Sequence, residues 1–236
     1  MRTRIALLTA LCAAALTGCQ ESGFDEAKET ARPLKVQHLL GESKVPGRAE
    51  MPATLSVEAL DDTLALDVKP VAARVPGGKV PSYLRSEAGS LRLLEEGTRP
   101  PGDADLIIAS APKSRDQFAE LSRLAPTVVI DEGGAQWKLN LRLIGEALGR
   151  TNDAEALLSS YDEQLAGVRN ALPDDAKVAG RFADDSFAAA VLADAGVVLV
   201  PRGEAAATLT APVWSATGGA LAARAALADL QRVLTK

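Results

Sequence analysis

This sequence is poor in the residues that most protein chemistry requires. Of its 236 residues one is histidine, two are cysteine and 3% are aromatic. A lone imidazole, His38, cannot build a zinc site from several histidines, and no G-x-S-x-G, phosphate-cradling glycine loop or H-E-x-x-H accompanies it. With so thin an inventory of general acids and bases, the chain is read as a non-enzyme needing no cofactor. Cys12 and Cys19 both lie near the start, so the body of the chain is expected to hold neither a disulfide nor a thiolate metal site. A spanning helix needs about 20 apolar residues, and no run after Cys19 provides them. Basic residues are in the minority, with 26 Lys and Arg against 31 Asp and Glu, which argues against nucleic acid as a partner.

What is present begins with a leader. Met1-Arg2-Thr3-Arg4 is basic, and Ile5 to Leu16 is apolar and uncharged. Its length suits the apolar core of a secretory signal, roughly 7–15 residues, better than a membrane span. It ends in Leu16-Thr17-Gly18-Cys19, a small residue before a cysteine, which is the lipobox pattern. Residues 1–18 are therefore expected to be removed, with Cys19 lipidated as an anchor on the extracytoplasmic face of the cell membrane. Residues 19–33 are small and polar and read as a tether.

Beyond residue 33, strand-like and helix-like segments alternate. Short strands are expected at 34–39 and 44–46, 53–55, 68–73, 105–110 and 127–131. Helices are expected from Ser56 to Leu66, from Ser114 to Arg123 and over 135–148, where Gly149 stops the last. Leu157, Leu158, Tyr161, Leu165, Val168 and Leu172 keep a helical period after Asn152. The pattern then restarts with strands at 177–182 and 197–200 and helices at 185–195 and 217–234. Residues 75–103 and the stretch after Val200 read as loops. Alternation with apolar strands implies α/β architecture, parallel sheets covered by helices. The expected division is a lobe over 34–149, a linking helix over 150–173 and a short lobe over 174–236.

In such sheets ligands bind beyond the carboxyl ends of the strands. Arg74, Lys113, Arg115 and Arg181 all follow predicted strands, and together would make a positive pocket on an acidic protein. Trp137 and Tyr83 could stack on a flat ligand. His38 reads as structural. The pairs Asp61-Asp62 and Asp184-Asp185 read as caps at helix starts.

Several segments resemble the ferric-siderophore substrate-binding lipoproteins of cluster III. They are Val36-Gln37-His38-Leu39-Leu40-Gly41-Glu42 with Val45-Pro46-Gly47, and Leu60-Asp61-Asp62-Thr63-Leu64-Ala65-Leu66-Asp67-Val68. Asp105 to Ser110 with Leu121-Ser122 and Ala125-Pro126-Thr127-Val128-Val129, and Trp137 with Asn140-Leu141-Arg142, continue the likeness over about residues 34–171. The resemblance implies two α/β lobes about a long helix, a cleft between them, a ferric siderophore as ligand and an ABC permease as partner of a monomer. It implies ligand contact by Arg115 or Lys113 and by Arg181, and more weakly by Arg74. Gly97-Thr98-Arg99-Pro100-Pro101-Gly102-Asp103 stands where the family carries a helix with an acidic docking residue, and the second lobe is short. Haem or cobalamin as ligand, or a shortened relative acting as a surface interaction lipoprotein, are the alternatives.

Overall fold

A computed structural model describes residues 32–110, 115–132 and 134–235. The leader, Cys19, most of the tether and Lys113 lie outside the described residues.

A hairpin comes first, β1 (Leu34–His38) paired antiparallel with β2 (Gly41–Val45). Ser43 Oγ donates to the Thr127 carbonyl at 2.7 Å and lies 2.9 Å from His38 Nε2. Because that hydroxyl proton is spent on Thr127, His38 donates from Nε2, while its Nδ1 accepts from Leu40 N–H. Ser43 thus pins the hairpin to the neighbouring strand, and His38 holds Ser43 in place.

The first parallel unit follows: β3 (Pro52–Thr54), α1 (Val57–Ala65), β4 (Ala72–Arg74), the single turn α2 (Arg85–Ala88), β5 (Leu93–Leu94), β6 (Leu106–Ser110), α3 (Arg115–Ser122) and β7 (Thr127–Ile130). The strands form one parallel sheet in the order β5-β4-β3-β6-β7. Ser56 caps α1, its hydroxyl accepting from Ala59 N–H at 3.1 Å. Both faces of the sheet are covered, which is why its strands are continuously apolar: along β6, Leu106 and Ile108 enter one core and Ile107 another with Ala53 and Ala125. Strand β4 starts later than the sequence pattern suggests, because Pro70 has no N–H to give the ladder.

Next come α4 (Trp137–Ala147) and the 21-residue α5 (Thr151–Ala171), then β8 (Lys177–Ala179), α6 (Phe187–Ala195), β9 (Val198–Leu199), β10 (Ala207–Thr208) and α7 (Ala220–Leu234). The second sheet is parallel, small, and ordered β10-β8-β9. Gly149 turns the chain between α4 and α5 at φ +68°, and any β-carbon there would run into the Gly47 carbonyl.

The two sheets share a core. Ile108 and Val128 of the first, Trp137 and Leu141 of α4, Leu158 of α5, Val178 of the second and Leu227 of α7 belong to one buried cluster. Trp137 is 1% exposed. Its ring meets Tyr161 edge-on at 4.8 Å and Phe187 at 6.4 Å, so one side chain ties α4, α5 and α6 together. Lys138 lies over the Trp137 and Tyr161 rings and pairs with Asp194 at 2.8 Å, and Asp194 also accepts from the Tyr161 hydroxyl at 2.8 Å.

Candidate functional site

In the first sheet the chain runs outward from β3 through β4 on one side and from β6 to β7 on the other, so the connections part between β3 and β6. A crevice opens beyond the strand ends at such a switch point. A cavity of about 440 Å³ lies there, bordered by Leu55 and Ser56 after β3, Arg74 ending β4, and Ser110 ending β6. Glu58, Glu96, Gln117, Glu132 and Thr217 add to its polar lining. The second sheet repeats the arrangement about β8. Its cavity, about 730 Å³, is bordered by Arg181 and Phe182 beyond β8, Pro201 and Arg202 beyond β9, Thr210 beyond β10, and Trp214. Ser215 borders the second cavity and Thr217 the first, so residues 214–217 pass from one to the other.

The residues singled out from sequence fare differently. Arg74 reaches the first cavity, held by a 2.6 Å hydrogen bond from Nη2 to the Thr98 carbonyl. Arg181 reaches the second cavity and is exposed. Arg115 is the exposed first residue of α3 and borders neither cavity. Tyr83 lies away from both, against α7, where burial and the nearby carboxyls of Asp61, Asp62 and Glu58 push its phenol up. Trp137 is committed to the core and has no face for a ligand in this conformation, because an aromatic at a three-helix junction buries more area there than in a loop. The expected ring of basic groups is therefore not assembled among the described residues.

Trp214, Phe182 and Arg202 were missed. Arg202 was within reach of the strand-end rule, since Pro201-Arg202-Gly203 follows Val200 directly. Trp214 needed β10 to be recognised, and two residues carry no periodicity. Its ring lies 6.1 Å from Phe182, and its Nε1 donates to Asp229 at 2.8 Å.

Beneath the first cavity lies a buried cluster of carboxyl groups. Glu58, Asp61 and Asp62 are at most 2% exposed. They do not cap α1, the helix that bears them. Asp61 accepts from Leu221 N–H at 2.7 Å and Ala222 N–H at 3.0 Å, and Asp62 from Ala220 N–H at 2.8 Å. These are the orphan donors of the first turn of α7. Gly218 and Gly219, at φ +141° and +109°, let the chain pass directly over the carboxyls; a β-carbon on Gly218 would lie 2.7 Å from Glu58 Oε1. Glu58 accepts from Asn140 Nδ2 at 2.7 Å, adding α4 to the junction.

Burial pushes Glu58 up to about 7 against the pull of Asn140, with the Asp131 and Glu132 charges adding to it. Burial pushes Asp61 up to about 8 against its two N–H donors, and carries Asp62 well above its ordinary range, aided by the charges of Asp61 and Glu58. An acid that holds its proton more tightly in the fold stabilises the fold at low pH. That contribution is complete below the ordinary carboxyl range of about 4 and is lost as pH climbs through the raised values. The melting temperature should accordingly fall from about pH 5 to about pH 8, and Asp62→Asn, which keeps an acceptor for Ala220, should flatten the decline. A scanning-calorimetry profile that is flat over this range in the unaltered protein would rule out proton uptake by the cluster.

No family model matches the sequence. It is 25% identical over 170 residues to the probable siderophore-binding lipoprotein YfiY of Bacillus subtilis, covering 67% of this chain and 52% of the relative. It is 27% identical over 184 residues to the iron-uptake system-binding protein of the same organism, covering 74% and 58%. The chain is related to siderophore-binding substrate-binding proteins. It spans little more than half the length of these curated relatives. Among solved structures, Staphylococcus aureus SirA complexed with staphyloferrin B superposes with a TM-score of 0.69 at 20% identity, over 85% of this chain and 98% of that one. A periplasmic solute binding protein from Mycobacterium smegmatis gives 0.67 at 19% identity, over 86% and 97%. The fold is that of these binding proteins: parallel α/β sheets joined by a long helix, the second sheet reduced. No helix among the described residues is long and apolar enough to cross a membrane.

Proposed function

We propose that this chain is a solute-binding lipoprotein that captures a ferric siderophore and delivers it to an ABC importer, anchored through Cys19 on the extracytoplasmic face of the membrane. The observation that supports this most is the pair of cavities at the switch points of the two parallel sheets, in a chain related to siderophore binders. Binding proteins need two opposed surfaces and no acid–base machinery, and these cavities supply hydroxyls, guanidinium groups and an aromatic pair. Arg74 at the first cavity, with Arg181 and Arg202 at the second, would meet an oxygen-rich chelate. The metal would be held by the chelator; among the described residues no group of three or more His, Cys, Asp or Glu is arranged to take a metal ion.

Trp214 provides the readout. It borders the second cavity, although only 3% exposed, whereas Trp137 borders neither cavity. A ferric complex seated at Arg181 should quench Trp214 emission saturably and raise the melting temperature, since a ligand bound only to the native state stabilises it. Trp214→Phe should abolish most of the quench and keep the thermal shift. A panel of ferric siderophores that produces neither effect would defeat the proposal.

A further inference from the structure

The first cavity is rich in carboxyl groups. Glu58, Glu96 and Glu132 line it against a single guanidinium, Arg74, which already donates to the Thr98 carbonyl. The second cavity contributes Arg181 and Arg202 and no carboxylate. The described lining of both cavities therefore carries as many carboxyls as guanidinium groups. Glu58 is pushed up chiefly by its burial, and the charges of Asp131 and Glu132 add to it. With Glu58 protonated the two linings together carry only one net positive charge.

Kinship does not set the charge of the ligand, but this lining constrains it. Bringing charge out of water is costly unless opposite charge meets it. Among the described lining residues of these two cavities, a triply anionic tris-catecholate complex would meet one net positive charge and two exposed carboxylates, Glu96 and Glu132. A neutral or cationic trihydroxamate complex avoids that conflict. Its ammonium or N–H groups suit the carboxylates, and its backbone suits the apolar surface of Leu55, Val57 and Leu121. Resting on the siderophore-binding reading above, we propose that the cleft selects ferric complexes of zero or positive net charge, the trihydroxamate class, over tris-catecholates.

Three probes test this in the full-length chain: ferrioxamine B, a cationic trihydroxamate complex; ferrichrome, a neutral one; and ferric enterobactin, a triply anionic tris-catecholate. Titration at neutral pH, followed by calorimetry, should show at least one trihydroxamate complex binding about tenfold or more tightly than the enterobactin complex, equivalent to about 1.4 kcal/mol. The double substitution Glu96→Gln/Glu132→Gln should narrow that preference several-fold and leave the melting temperature unchanged, as exposed substitutions usually do. Enterobactin binding as tightly as the tighter of the two trihydroxamates overturns the selection and leaves the siderophore reading standing. No binding by any of the three overturns both. A preference unmoved by the double substitution removes these carboxylates as its cause and overturns the charge argument.

Discussion

Asp61→Ala should destabilise the protein by about 3 kcal/mol. The substitution strips Leu221 and Ala222 of their acceptors inside the protein, and each buried donor left unpaired costs about 1–3 kcal/mol. It also removes an anionic or strongly polar group from the N-terminus of α7, where the helix dipole favours it. Asp61→Asn retains one carbonyl oxygen and should recover about half of the loss. Denaturant unfolding of the three proteins at one pH checks the order. If Asp61→Ala falls within about 0.5 kcal/mol of the unaltered protein, the carboxyls are not what fastens α7 to α1.

Trp137→Ala should cost about 3–5 kcal/mol, the range for emptying a large aromatic site. The loss has two sources: the cavity left among α4, α5 and α6, and the broken edge-to-face contacts with Tyr161 and Phe187. Lys138 also loses one of the two rings beneath it. The milder Trp137→Phe should remain folded, and its affinity for any ferric complex that binds the unaltered chain should be unchanged within about twofold. A large affinity loss with little change in unfolding would return Trp137 to the ligand-binding surface, where the sequence pattern first put it.

The long elements were legible, and so were some short strands such as β3 and β9, but not all of the short ones. The apolar period through Leu158, Tyr161, Leu165 and Val168 locates α5 to within two residues, because a 21-residue amphipathic helix repeats its signal several times. The apolar run Thr127–Ile130 locates β7 equally well. By contrast β5 and β10 have two residues each, and their pairing is decided by what lies beside them in space. The strand-end rule picked out Arg74 and Arg181, which border the two cavities because each stands at or just beyond the end of a strand. It could not separate Trp137 from Trp214, since both rings are buried and the packing of distant elements decides which of them borders a cavity. The carboxyls of α1 show the same limit. Asp61 and Asp62 look like local caps, yet the helix start they serve is α7, and nothing near residue 61 announces it.

Asp61 and Leu221 are joined across 160 positions. Closing a loop of that length fixes much of the chain before any bond at its ends rewards it, and contacts so distant in sequence slow folding. The sheet from β3 to β7 can pair from nearby segments, but until α7 docks, three carboxyl groups and the apolar side of α4 and α5 stand uncovered. Native structure on this chain is thus cooperative by geometry rather than modular. The halves cannot mature independently, because the groove that one half leaves open is filled by the final helix of the other.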